Sequence, residues 1–407
     1  MKYVVILGDG MADNPIESLA GKTPLQVALK PTIDALASKG ELALCDTIPE
    51  GMSPGSDTAN LSVMGYDPKK YYTGRSPLEA VSMGIEMADS DVCFRCNVVT
   101  LSEDEPYEEK YMIDHSASEI TTEEAAVLLG VIDEAFSDVS KKFYPGVSYR
   151  HALIWKAGST EVELTPPHNI LEQKITGHLP KGEHASIIEE FQRRSYDLLN
   201  NHPINLDRAK RGLNKANSIW IWGEGTKPTL KSFEAKYGKK GAMISAVDLL
   251  KGIAIAADMT SIDVDGANGT LHTNYQGKVD ACLKALEEGH DFVYVHVEAP
   301  DECGHQGNLE DKIKAIEWLD SRVVQPIVEG LVAKDEDFRM LIMPDHPTPI
   351  ALRTHTSDPV PYVLYDSRDH KSTPGIYCEV DAKVKGVTFK EGHQLMAYFL
   401  EVDKKLT

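Results

Sequence analysis

Short apolar runs, each closed by glycine, proline or a charged residue, alternate along this chain with longer stretches whose apolar positions recur at helical spacing. Residues 3–7 read as a central strand and 292–297 as a buried one, 41–47, 148–156, 161–164, 218–222, 338–343 and 360–365 as further strands, and 241–246 is an apolar run. Helices are expected at 31–39, 121–138, 187–200, 246–257 and 274–288, and a helix-like run within 71–90. Ile313, Ile316, Leu319 and Val323 recur at three- and four-residue spacing and predict one more, with an apolar stripe along one side. Strands alternating with helices predict an α/β fold on a mostly parallel or mixed sheet, whose ligands bind beyond the carboxyl ends of the strands.

The texture changes after about Tyr66, and residues 71–239 form an alternation of their own that fits a smaller α/β domain inserted into the first. The expected organisation is a discontinuous domain, 1–70 with 240–407, carrying an insert over 71–239. Within the insert, Val92, Phe94, Cys96 and Val98 share one face of a strand and Arg95 and Asn97 the other. That second face either holds a carboxylate or phosphate or is an exposed polar surface.

Length and composition then narrow the class. A chain of 407 residues with 42% apolar and 26% charged residues is ordinary globular protein, long enough for two cores. Its formal charge of −21 argues against nucleic-acid partners. No apolar run approaches a membrane span, and the run in MKYVVILGDG is too short for a signal peptide. Cysteines 45, 93, 96, 282, 303 and 378 show no disulfide spacing, and the single C-x-x-C at Cys93 and Cys96 lies inside a strand without a second pair, so a reduced, cytoplasmic setting is expected.

The chemistry lies at strand ends. Three apolar strands are followed at the same edge by aspartates: Asp9, Asp301 and Asp345. His305 follows Asp301 by four residues, His346 follows Asp345 directly, and His355 lies in a nearby loop. Taken singly, Asp301 reads as a helix cap with His305 on the surface. Together, three carboxylates in one place repel unless cations lie between them, which favours a two-metal site with oxygen and nitrogen ligands. Ser56, after Pro54-Gly55, sits where a helix begins and reads either as a plain N-cap or as a nucleophile beside free backbone N–H groups. Gly8-x-Gly10 lacks the third glycine of a dinucleotide fingerprint.

These residues resemble a known family. Asp9, Ser56 within GSDTAN, Asp301-x-x-x-His305, Asp345-His346 and His355 within THT match the ligand order of the alkaline phosphatase superfamily. More closely, GDGMAD, YYTGRSPLEA, FRCN and HVEAPDECGH resemble the archaeal-type cofactor-independent phosphoglycerate mutases over nearly the whole length. The resemblance implies an alkaline-phosphatase-like core with a lid domain, and two divalent metal ions: manganese, with magnesium or zinc as the other choices. One would be held by Asp301, His305 and His355, the other by Asp9, Asp345, His346 and the Ser56 oxygen. It implies that Ser56 takes the phosphoryl group of 3-phosphoglycerate and returns it to the 2-hydroxyl, with no 2,3-bisphosphoglycerate, while the insert excludes water.

Arg75, Arg95, Arg150 and His115 are nominated to hold the substrate's charged groups. The expected partner is a small phosphorylated molecule, and the expected state a monomer or small homo-oligomer. A homoserine kinase-like phosphotransferase of the same family and a metal-dependent phosphohydrolase are the alternatives. A metal-stabilised binding protein without catalysis is a third, disfavoured by the intact serine and ligand set.

Overall fold

The computed structural model describes residues 1–369 and 371–402. The chain divides into two compact units, Met1–Tyr72 with Leu230–Thr407, and Thr73–Thr229. In the first unit, β1 (Lys2–Gly8) and β2 (Glu41–Cys45) come before the insertion. The second unit contains β3 (Val92–Leu101), β4 (Met112–Asp114), β5 (Lys141–Tyr144), β6 (Arg150–Trp155), β7 (Val162–Glu163), β8 (Lys181–Gly182) and β9 (Ser218–Thr226). The first unit then resumes with β10 (Gly241–Ile244), β11 (Thr260–Ile262), β12 (Phe292–Val297), β13 (Phe338–Met343), β14 (Val360–Asp366) and β15 (Val387–Phe389).

The first unit is built on an eight-stranded mixed sheet in the order β11-β10-β12-β1-β13-β14-β2-β15. The strands from β11 to β13 run parallel, and β14 pairs antiparallel with both neighbours. Every residue of β12 and β13 is buried, as expected where helices cover both faces of a parallel sheet. Val4, Ile6, Val293, Val295, Met340 and Ile342 pack in one core with Ile33 and Leu36 of helix Pro31–Lys39 and with Ile316 and Leu319 of helix Leu309–Leu319.

Pro300 shows how local sequence shapes the functional edge. It ends the strand run, yet it stands in the first turn of helix Ala299–Gln306, where its missing N–H costs no hydrogen bond. Asp301 and His305 are thereby one turn apart on a helix that begins immediately after β12.

The second unit has antiparallel β3 pairing with β4, β6 and β9. The apolar face of β3 (Val92, Phe94, Cys96, Val98) packs against Leu128 and Ile132 of helix Thr122–Phe136 and Ile188 and Phe191 of helix Ala185–Leu199. Phe136 stacks on Phe191 at 4.9 Å between centroids.

Several elements differ from the sequence pattern. The helix-like run over 71–90 narrows to Arg75–Ser82. The strand expected at 218–222 continues to Thr226, because Gly223 takes φ +65° and the β3–β9 register shifts there, a bulge that lets pairing go on through the glycines. The apolar stripe through Val323 crosses a π-turn at Asp320–Val324. There the buried Asp320 turns away to accept from the N–H groups of Thr32 and Ile33 and satisfies the start of helix Pro31–Lys39. Phe233 stacks on Phe292 at 4.7 Å, so helix Phe233–Tyr237 belongs with the first unit.

Candidate metal centre

Adjacent strands β12, β1 and β13 deliver Asp301, Asp9 and Asp345 to one edge of the sheet. All three are buried, at 6%, 2% and 0% exposure. The backbone allows this crowding only because residue 10 is glycine: it has φ +61°, and a Cβ there would stand 2.6 Å from Asp301 Oδ1.

Two groups of ligand atoms form. Asp9, Asp345 and His346 make one, and Asp301, His346 and His355 the other, with the atoms of each group within 4.8 Å of one another. His346 takes part in both, and its Nε2 lies 3.4 Å from Asp345 Oδ2 and 3.6 Å from Asp9 Oδ1. His305 borders the second group, with Nε2 3.2 Å from Asp301 Oδ2 and 2.9 Å from His355 Nε2.

Surrounding hydrogen bonds decide which way the imidazoles face. His305 Nδ1 donates to the Arg353 carbonyl at 3.0 Å, so its neutral form turns a bare Nε2 towards Asp301 and His355. His346 Nδ1 lies 3.3 Å from Thr348 Oγ1, whose own proton goes to Asp301 Oδ1, so His346 likewise turns Nε2 inward. Nitrogen lone pairs and carboxylate oxygens converging on one space are a cation's ligand set. Asp9 Oδ1 is buried and accepts no hydrogen bond, which leaves an oxygen for the same purpose.

Electrostatics agree with this. Burial first, then the charges of Asp345 and Asp301, raise the Asp9 carboxyl well above the ordinary range. Burial also opposes charge on Asp301, but hydrogen bonds from His305 and His355 outweigh it and hold that carboxyl well below the range. His305 is raised to about 9, mainly by its hydrogen bond to Asp301. The donor set therefore fits divalent cations: without them, one carboxylate must take up a proton and an imidazole must act as counter-ion.

Gly55, not Ser56, occupies the N-cap position of helix Ser56–Val63 and supplies no side-chain cap. Ser56 is thus free of capping, and its Oγ lies 3.2 Å from His346 Nε2. The helix cap expected of Asp301 is also absent, since its oxygens face imidazoles and Thr348 instead.

Residues the sequence did not single out hold the carboxylates in place. His296, fully buried in β12, donates from Nε2 to Asp9 Oδ2 at 2.9 Å, and its Nδ1 lies 3.1 Å from Ser245 Oγ. Burial, followed by nearby Lys278, depresses this imidazole to about 3, so it acts as a neutral donor. Asn60 donates to Asp345 Oδ2 at 2.8 Å and to the Ser56 carbonyl at 2.8 Å, and accepts from Tyr294 at 2.6 Å. A histidine inside an apolar strand and an amide one turn after Ser56 were the available signals. A cavity of about 800 Å³ lined by Lys236, Arg339, His393 and Tyr398 lies elsewhere, since Arg339 is near the start of β13 and Asp345 follows its end.

Comparison with known proteins identifies the family. Residues 37–205 match the family model of 2,3-bisphosphoglycerate-independent phosphoglycerate mutase. A Geobacter sulfurreducens protein described as a probable member is 50% identical over 403 residues, covering 98% of this chain and 100% of its own. The Methanothrix thermoacetophila enzyme is 48% identical over 396 residues, covering 97% and 98%. The chain belongs to the archaeal-type 2,3-bisphosphoglycerate-independent phosphoglycerate mutases. It is thus an enzyme of an isomerase family whose name records independence from bisphosphoglycerate. A solved Pyrococcus horikoshii protein shares its fold with a TM-score of 0.82 at 28% identity, covering 99% of this chain and 98% of that one.

In this phosphoglycerate mutase family member, the nominated substrate residues all lie in the second unit. Arg75 and Arg95 are both gripped by Glu79. Arg150 lies over the Tyr149 ring at 5.1 Å, and His115 packs edge-on to Tyr149 at 5.6 Å. Asn97, left open as an anion holder, is 3% exposed and spends its amide on Trp222 Nε1 and the His115 carbonyl, so it is scaffold.

Proposed function

We propose that this enzyme interconverts 3-phosphoglycerate and 2-phosphoglycerate through a phosphoserine at Ser56. The observation that carries the reading is Ser56 Oγ, uncapped at a helix start and 3.2 Å from His346, beside three buried carboxylates that need counter-charge. Asp9, Asp345 and His346 would hold one divalent ion and Asp301, His305 and His355 the other, with manganese, magnesium or zinc all suited to mixed oxygen and nitrogen ligands. When bound, such ions supply Lewis acidity that lowers the serine pKa and offsets charge on the transferring phosphoryl group.

The chain's own residues do the rest. Ser56 Oγ attacks the phosphorus in line as the bond to the 3-oxygen breaks, and the serine proton passes to that oxygen, leaving glycerate and phosphoserine. Glycerate turns, its 2-hydroxyl attacks the phosphoserine, and its proton returns to the departing Ser56 oxygen, so atoms balance without an outside phosphate donor. Asn60 and His296 keep Asp345 and Asp9 in register during both steps. Water reaching the phosphoserine would turn the enzyme into a phosphatase, and we assign its exclusion to the inserted unit.

Phosphorus NMR of manganese-loaded protein with 3-phosphoglycerate, without ATP or bisphosphoglycerate, tests this reading. Conversion to 2-phosphoglycerate is expected, and Ser56→Ala should remove it by on the order of 10⁴-fold or more. Free phosphate alone would mean a hydrolase. Phosphohomoserine formed only with ATP and homoserine would mean a kinase.

A further inference from the structure

Helix Leu309–Leu319 carries a fully buried lysine that phosphoryl transfer at Ser56 does not use. Lys312 Nζ donates to Asp13 Oδ2 at 2.8 Å, to the Thr348 carbonyl at 2.7 Å and to the Ala12 carbonyl at 3.3 Å. An ammonium has three protons, so its whole donor capacity is spent on the two loops that follow β1 and β13. Asp13 extends the join, since its Oδ2 also accepts from the Ile350 N–H at 3.0 Å. Its own N–H donates to Glu379 Oε1 at 3.0 Å, and Glu379 Oε2 accepts from Thr23 at 2.6 Å.

This join borders the ligand atoms. Thr348, whose carbonyl Lys312 holds, donates from Oγ1 to Asp301 Oδ1, and the same oxygen lies 3.3 Å from His346 Nδ1. Asp9 stands on the other loop, shortly before Ala12 and Asp13. Packing restricts the Thr348 carbonyl from a second side: a Cβ on Gly304 would stand 2.6 Å from its oxygen, so helix Ala299–Gln306 lies close against it.

We propose that Lys312, with Asp13 as its buried counter-ion, is a positioning residue for the cation ligands. It locks the loop bearing Asp9 to the loop bearing Asp345 and His346, and through Thr348 it orients Asp301 and His346. The inference rests on the two-metal part of the mutase reading and not on the identity of the substrate. A buried lysine is a costly choice for packing alone. Burial lowers its pKa, with the charge of Asp13 as the first opposing influence, and an apolar side chain of similar length would fill the space without desolvating a charge. An apolar side chain cannot bond two carbonyls and a carboxylate from two loops at once. Ligand atoms held in place before a cation arrives lose less freedom when it binds, which raises affinity.

The test is manganese titration of the full-length resting protein, with the thermal midpoint measured alongside. Lys312→Met keeps the length, removes the donors, and is expected to weaken manganese binding by about tenfold or more. It also strands Asp13, so Lys312→Met combined with Asp13→Asn should recover thermal midpoint but not manganese affinity; this double variant serves if the single one fails to fold. Thr348→Val removes the hydroxyl link to Asp301 and should weaken manganese by a similar factor. Joined to Lys312→Met, it should cost well under the product of the two losses, because both act through Thr348. Manganese affinity within about twofold of wild type in the Lys312 variants, with a lowered midpoint, would reduce the ion pair to a packing feature and overturn the proposal. Fully multiplicative losses would overturn the route through Thr348. Conversion of 3-phosphoglycerate by wild type is read separately: weakened manganese binding in Lys312→Met without any wild-type conversion would sink the mutase reading and keep the positioning role.

Discussion

The two ligand groups of the candidate metal centre use the same residue types in different surroundings. Around Asp9, Asp345 and His346 the side chains are 3%, 0% and 0% exposed, and buried donors from His296, Asn60 and the Gly10 N–H fix both carboxylates. Around Asp301, the imidazoles of His305 and His355 are 36% and 20% exposed, and one backbone carbonyl orients His305. The same burial that raises Asp9 fails to raise Asp301, because Asp9 faces carboxylates and Asp301 faces imidazoles. The lesson is that charge complement, more than depth, sets how strongly each group demands a cation. The Asp9 group is a closed negative pocket, and the Asp301 group is half solvated with imidazoles that can stand in for an ion.

Substitutions can break this comparison. Asp345→Asn should have the largest effect. It removes a charge from the closed group and disturbs His346, which borders both, so manganese content after dialysis should fall towards zero and affinity by more than about 100-fold, beyond what losing a supporting contact causes. His305→Gln should cost less: one ion should be retained and the other weakened, since Asp301, His355 and His346 still converge. Two ions retained with unchanged affinity would remove His305 from the ligand set. His296→Gln touches no ion in this reading, yet it should weaken binding at the Asp9 group about 10-fold or more and leave the Asp301 group alone, measured by manganese titration of the resting protein.

A smaller effect is expected outside both groups. Burial opposes charge on Glu41, but hydrogen bonds from Tyr362 and Lys385 outweigh it and hold the carboxyl near 2 instead of 4.5. A folded-state value below the unfolded one adds stability that is present above about 4.5 and is lost as pH falls towards about 2. Glu41→Gln should therefore lower the thermal midpoint by about 2–4 °C at pH 6, with the difference shrinking below pH 4. A gap that widens in acid would contradict this account.

Much of the clustering at the candidate centre was legible because its residues follow punctuation that a single sequence displays: an apolar run, a stop, then Asp9, Asp301 or Asp345. The supporting residues were harder to read. His296 sits inside an apolar strand, where an imidazole has no sequence signature until Asp9 is seen 2.9 Å away. Asn97 and Arg95 share a strand face and were read alike, but the partner across the ladder, Trp222, turns one into scaffold and stacks against the guanidinium of the other. Long-range pairing, which local periodicity cannot encode, separates the two kinds of residue.

The strand order also has a consequence for biosynthesis. β1 carries Asp9 at the start of the chain, but both of its neighbours, β12 and β13, come from the last third: register pairs Tyr3 with Phe292 and Lys2 with Phe338. At about 5–20 residues per second, β1 leaves the ribosome roughly 15–60 s before either partner exists. The inserted unit is continuous from Thr73 to Thr229 and meets all of its own strands in that interval. The nascent chain would thus assemble its middle first and hold an apolar first strand unpaired until the end, so the mutase centre is among the last features to form and β1 is the segment most exposed to mispairing on the way.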